Sequence, residues 1–323
     1  MKARPGPALL HMALLHPVVP WVARWLLRCA ASVLAVSVLT FLMAEALPGD
    51  MAYRVAAARY DAERVDARVT EQVRQELALD RPVLVRLGAW LGQLGTLDLG
   101  RSVVTGRTMD GELGAPLARS LVLVGATWPL AVLLGVGAGL LLGRGRRGVA
   151  VAQALGAVAA GTPSYVLGLA LGLVFAIWLH WLPVAGYGGA AHVVLPAATL
   201  ALLGGLRLSL VTARAAFAAG QHPSIPFARM KGVPGHEVAL RHVLPLAAPA
   251  VVGYAFVSLA FLLEGAAVIE TVFAYPGIGR RLVDAVLARD VPVVQAAGIA
   301  VALLVTTANS AADAVAAALG GRA

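Results

Sequence analysis

The chain has 323 residues, of which 59% are hydrophobic and only 13% charged, with a net charge of +9. A soluble domain carries about 25% charged residues, so most of this chain is built for lipid rather than water. The positive charges are scattered between apolar runs instead of gathered on one face, which argues against a nucleic-acid partner and for orientation in a bilayer by basic loops.

Residues 1–23 form a lead containing prolines, to which no structure is assigned. Arg24 and Arg28 then introduce an apolar run ending at Ala46. With Trp25 to Leu27 it reaches the roughly 20 residues a span needs, which places a first transmembrane helix at 24–47. Cys29 lies in this run and reads as a packing residue; one cysteine excludes an internal disulfide and a multi-Cys metal site. A cleaved signal peptide with Ala44-Glu45-Ala46 as its site is the competing reading. The apolar core is longer than the usual 7–15 or so residues of such a peptide, so an uncleaved span is expected.

Residues 48–118 are the only long polar stretch and read as a helical cap outside the membrane. Val65, Val69, Val73 and Leu77 at spacing four predict a helix over 61–80, stopped by Arg81-Pro82. A second helical stretch surrounds Trp90, and Gly95 to Gly100 is a turn-rich connector. Ser120 to Gly143 is the second span, closed by Arg144, Arg146 and Arg147, which mark an inner loop. Gly161-Thr162-Pro163 breaks the next apolar stretch and sets the third span at 163–182, with Trp178, His180 and Trp181 as an interfacial belt. Val193 to Phe217 is the fourth span; Arg207 and Arg214 share one face near its inner end and read as snorkelling cations.

Ala247 to Ile269 and Val293 to Ala316 are the fifth and sixth spans. The expectation is an all-α membrane protein with about six spans in a core at 119–317, a tail at 318–323 and both termini on the inner side. Glu264 is a carboxylate inside the fifth span, a costly placement that makes it a candidate for substrate contact. The segment between the last two spans contains Pro276, Gly277 and Gly279, which suit a re-entrant turn. Glu270, Arg280, Arg281, Asp284, Arg289 and Asp290 there would build either a charged gate or ordinary surface ion pairs.

Between the fourth and fifth spans lies a polar island at 218–247. Gly232 ends one turn, Pro234-Gly235 makes a bend, and His236 to Leu244 reads as a helix returning to the membrane. Arg229, Lys231 and Arg241 would meet acidic rims on a partner, with Met230 and Val233 filling an apolar notch. By residue type alone, a docking helix and a solvated basic loop are equally open.

The island has Ala228, Gly232 and, nine residues on, x-Leu244-Pro245, which resembles the EAA loop of ABC importer permeases. Arg229-x-Lys231-Gly232 with Arg241-His242 resembles the dipeptide, oligopeptide and nickel branch of that family. So do Leu47-Pro48-Gly49-Asp50, Leu79-Asp80-Arg81-Pro82 and Asp98-Leu99-Gly100-Arg101-Ser102. Glu270-x-x-Phe273-x-x-Pro276-Gly277-x-Gly279, Arg289-Asp290-x-Pro292 and Asn309-x-x-x-Asp313 complete the series in the family's order. Two departures stand out. Pro223 occupies the usual acidic position of the loop, and Pro226 the usual arginine near it. The chain also ends Gly320-Gly321-Arg322-Ala323 instead of the family's D-P-R-x-R tail.

The resemblance implies a non-catalytic inner-membrane subunit that works with a second homologous permease, two ATP-binding subunits and a periplasmic solute-binding protein. Coupling to the ATPase is then expected from Ala228, Arg229, Lys231, Gly232, His236, Glu237, Arg241, His242, Leu244 and Pro245. Candidate path or gate residues are Glu264, Glu270, Phe273, Pro276, Gly277, Gly279, Arg289, Asp290, Asn309 and Asp313. The cargo implied is a peptide, nickel or a metal chelate. The sequence lacks G-x-x-x-x-G-K-[ST], so ATP and magnesium belong on partner subunits and no cofactor or metal is expected on this chain. A secondary transporter or channel is the alternative, but intramembrane carboxylates are too few for a convincing relay. For an intramembrane enzyme, neither H-E-x-x-H nor G-x-S-x-G is present.

Overall fold

The computed structural model describes residues 7–46, 48–60, 62–96 and 98–320. Residues 1–6 of the lead, Leu47, Asp61, Leu97 and the tail Gly321–Ala323 lie outside the described residues. Among the described residues there is no strand, only helices and their connections. Lipid offers no hydrogen bonds, so a spanning chain must satisfy its backbone internally, and helices do so residue by residue.

Helix α1 runs from Pro7 to Ala46, and its stretch Trp21–Ala46 is long and apolar enough to cross a membrane. It begins well inside the lead for which no structure was expected. A helix already propagating loses about one bond at each proline, which is less than the cost of starting again. Residues 48–118 form the cap as α2 (Met51–Tyr60), α3 (Ala67–Glu76) and α4 (Val83–Gly95). The helix expected over 61–80 is confined to α3, because Asp66 accepts from the Val69 amide and caps its start. Val55, Ala52, Ala56 and Val73 close a small core between α2 and α3. Arg59 pairs with Glu76 across it and holds that carboxyl below its ordinary range.

Helix α5 spans Met109–Leu142, starting a decade of residues before the expected second span. Its first turns, through Met109 and Leu113, pack against Ile278, Ala285 and Val293. Helices α6 (Arg146–Gly161) and α7 (Ser164–Leu171, continuing as π-helix Gly172–Trp178) meet at a 95° bend, at the Gly161-Thr162-Pro163 break read from the sequence. Helix α8 is Ala191–Ala219, α9 is Ser224–Met230, and α10 is Gly235–Val238. A π-helical turn, Ala239–Val243, joins α10 to α11 (Leu244–Val272), so Gly235–Val272 is one continuous rod. Helices α12 (Ile278–Leu287) and α13 (Val291–Gly320) finish the chain. Five helices are long and apolar enough to span, and the bent pair makes a sixth if counted as one crossing. Trp178 and Trp181 are exposed, as an interfacial belt requires.

The bundle is organised around α5 against α8. Gly135, Gly139 and Gly143 repeat at spacing four along α5 and face α8. A Cβ on Gly135 would stand 2.7 Å from Leu208 Cβ, and one on Gly139 would overlap the Thr212 side chain. In lipid, helix association depends on such close approach, because apolar burial alone favours neither partner nor solvent. Helix α1 lies outside this core and attaches to α13 by the Arg28–Asp313 ion pair at 2.6 Å and the Ser32–Thr306 hydroxyl pair at 3.0 Å.

Gly139→Ala should therefore lower the thermal stability of the detergent-solubilised protein by about 1–3 kcal/mol. Gly137→Ala, where a Cβ meets nothing within 4 Å, should leave it unchanged or raise it. Equal melting temperatures for the two variants would contradict this packing.

Candidate functional site

The island at 218–247 is built in two unequal parts. Helix α9 is a separate, short element whose inner side buries Ile225 and Ala228 against Ala216, Val238 and Val243. Ala228 is small because α9 lies directly on the ends of the transmembrane helices. After Lys231 the chain turns at Gly232, whose φ of +76° is the left-handed conformation glycine tolerates best. The Val233 amide donates to the Ala228 carbonyl and closes the turn. The remaining part, His236, Glu237, Arg241, His242, Leu244 and Pro245, returns to the bundle as a helix, as the sequence suggested. It forms the first turns of the Gly235–Val272 rod.

The outward side of α9 is apolar and basic together. Phe227 and Met230 are 56% and 78% exposed, Lys231 places its ammonium 4.5 Å from the Phe227 ring centre, and Arg229 is exposed. Arg241 is tied to Glu237 at 2.7 Å, so part of its charge is met within the chain. A cleft of about 520 Å³ beside α9 is lined by Arg144, Gln221, Arg229 and His236. The arrangement offers a rigid, apolar-tipped projection with a cationic rim, held to the membrane helices from below.

At the opposite face, the motif residues bond to one another across the chain. Glu270 is fully buried at the end of α11. Its Oε1 accepts from Ser120 Oγ at 2.5 Å, and its Oε2 accepts from the amides of Gly279 at 2.8 Å and Arg280 at 3.2 Å. The Ile278 amide donates to Ser120 Oγ at 2.8 Å, closing the cluster. Gly277 and Gly279 lie against this carboxylate so closely that a Cβ on either would overlap it. Phe273 and Tyr275 are buried in the apolar cluster beneath, and Pro276 continues the loop above them.

Asp290 is fully buried too, accepting from Ser102 Oγ at 2.5 Å and the Val103 amide at 3.1 Å. Arg289 donates to the carbonyls of Pro48 and Gly49. Arg281 forms a two-pronged contact with Glu112, at 2.7 and 3.0 Å. In this structure the charges of Glu270, Arg281, Arg289 and Asp290 are all engaged within the chain. Glu270 is spent on Ser120 and the amides of Gly279 and Arg280, while Arg281, Arg289 and Asp290 tie α12 and the start of α13 to Glu112, to the carbonyls of Pro48 and Gly49, and to Ser102 and Val103. Glu264 is different. It is exposed on α11, with Phe261 and Val268 on the same stripe. Asn309 is exposed, and Asp313 is occupied by Arg28. Among the described residues no group of three His, Cys, Asp or Glu side chains is placed to hold a metal.

Residues 131–323 match the family described as binding-protein-dependent transport system inner membrane component. The chain belongs to that family. It is a multi-pass permease subunit, and both the basic island and the Glu270 segment lie inside the matched region. Among its relatives is the glutathione transport system permease protein GsiC of Escherichia coli (strain K12), 34% identical over 282 residues that cover 85% of this chain and 89% of that one. GsiC of Pectobacterium atrosepticum is 36% identical over 277 residues, covering 84% and 88%. A protein described as a peptide transport system permease in Brucella abortus (strain 2308) is 35% identical over 274 residues, covering 81% and 85%.

Sequence reasoning missed Ser120 and Glu112, and found Ser102 only as part of a motif without its partner Asp290. Ser120 and Ser102 are small hydroxyls in ordinary surroundings, and nothing local in the sequence announces a bond to a residue far along the chain. Glu112 carried one signal, a carboxylate in the first turns of a long helix. Glu270→Ala should orphan the Ser120, Gly279 and Arg280 donors, each costing about 1–3 kcal/mol. Hydrogen exchange should then accelerate at the amides of residues 278–281 while the α9 amides stay as they were. Unchanged exchange at 278–281 would show that the carboxylate does not hold the loop.

Proposed function

We propose that this permease imports peptide-class solutes, driven by ATP hydrolysed on partner subunits into which α9 docks. The observation that carries the reading is the outward side of α9. Two large apolar side chains exposed to water on a helix of only seven residues are unfavourable unless a partner covers them. The basic rim around them suits an acidic groove. The bonds from α9 to α8 and to the Gly235–Val272 rod make it a lever, because a push on α9 is carried directly into two spanning helices.

On this reading α9 and Arg144, Arg146 and Arg147 face the cytoplasm, in agreement with the inward preference of basic loops, and both termini lie on that side. The cap and α12 then face the periplasm, where a solute-binding protein delivers its cargo. A second permease subunit completes the path, and ATP with its magnesium is held by two separate subunits. The names of the relatives favour peptides, glutathione among them, over nickel or chelates. Pro223 and Pro226 remove the charges the family uses at the start of the loop, so Arg229 and Lys231 carry the polar part of the contact.

Gly232→Asp tests the lever. The site has open space around it, so the chain should still insert and assemble. The added carboxylate beside Lys231 should repel an acidic groove and strain the turn. The expected outcome is transport reduced at least about tenfold, with ATPase activity no longer stimulated by the loaded binding protein. A variant that is expressed normally and transports at the wild-type rate would count against α9 as the coupling element.

A further inference from the structure

The break between α6 and α7 lies beside Arg207, midway along α8. Helix α6 runs along α8, with Gly156 against Leu210 and the Ala159 carbonyl accepting from Arg207 Nη2 at 2.9 Å. Arg207 stands roughly 18 Å from the inner end of α8 and about 24 Å from its outer end, counted at helical rise. That places it well inside α8 rather than at either end. A cleft of about 300 Å³ opens there, lined by Arg207, Thr162 and Ser164 at the break and by Tyr254, Ser258 and Phe261 of α11. The Nε of Arg207 is buried and has no partner. The first amides of α7, at Ser164 and Tyr165, have no partner among the described residues, and no side chain caps the helix.

We propose that this cleft is a station for a carboxylate of the translocated solute, held by the guanidinium of Arg207. A guanidinium midway along a spanning helix is costly, and one contact to the Ala159 carbonyl uses only one of its five donors. The planar fork is the group best matched to a carboxylate. The start of α7 adds the positive end of a helix dipole next to it. Every peptide with a free C-terminus carries such a carboxylate, so the site grips the backbone terminus and leaves side chains to the apolar wall at Phe261. The inference rests on the peptide-import reading. Capping the Ala159 carbonyl is the competing, purely structural role for Arg207.

Two measurements on the assembled complex in proteoliposomes separate these. The first compares uptake of one peptide as its free acid and as its C-terminal amide. The binding protein's own preference cancels when Arg207→Gln is divided by wild type. The site predicts a loss of at least about tenfold for the acid and less than about twofold for the amide. Equal losses for both would leave Arg207 a structural cap and overturn the proposal. Should the wild type import neither acid nor any other peptide, the functional reading fails instead. The second measurement needs no amide transport. Ser164→Cys in a Cys29→Ser background is reacted with anionic and cationic methanethiosulfonates during ATP turnover. The anionic reagent should react at least about fivefold faster, and Arg207→Gln should erase that preference. A Ser164→Cys thiol inert to both reagents, or one indifferent to Arg207, would show that the cleft does not receive anions.

Discussion

A bilayer interior supplies no hydrogen bonds, and several irregular pieces of backbone in this protein are paired with side chains that supply them. The Pro276–Gly279 loop is held by Glu270 and Ser120. The end of α6 is capped by Arg207, and the Ser102–Val103 turn is held by Asp290. These polar groups are expensive to bury, and Glu270, Ser120 and Asp290 are tolerated because each is shared among several donors or acceptors. They fix where the chain departs from straight rods. Those departures set the shape of the outer face and of the cleft within.

The inner face follows a different rule. Water is present there, so α9 needs no internal partners for its ends and its bonds are few. What fixes it is apolar packing of Ile225 and Ala228 onto the ends of α8 and the Gly235–Val272 rod. The rod runs from the island to Val272 without a break and then meets the Glu270 cluster. A displacement at α9 therefore has a continuous path to the Pro276–Gly279 loop at the far end of the rod. Glycine contacts along α5 and α8 keep that core thin and stiff, which favours motion of the helices as a body over bending within them.

The spanning helices were legible because apolar length is a one-dimensional signal. The break at Gly161-Thr162-Pro163 was legible because proline and glycine act locally. The ends were less so. Helix α1 reaches back to Pro7, and α5 begins at Met109 on residues polar enough to read as loop. Helix α3 stops short because Asp66 captures an amide, a choice made by one side chain. The family motifs were found as strings, but their pairing was invisible. Arg289 meets Pro48 and Gly49, and Asp290 meets Ser102, across well over half the chain. Glu270 and Asp290 looked like gate charges because sequence shows the cost of a buried carboxylate and hides the donors that meet it. The island divides into α9 and the first turns of the Gly235–Val272 rod, a division that residue type alone did not reveal.

The central claim is that α9 is a rigid lever covered by another protein. A photocrosslinking amino acid at Met230, in complexes purified with their ATP-binding subunits, tests it most directly. The account predicts a crosslink to an ATP-binding subunit in every nucleotide state, because a lever stays seated while it moves. A crosslinker at Leu84, exposed at the far side in the cap, should never reach that subunit. Crosslinks from Met230 to lipid alone, or to a binding protein, would contradict the account.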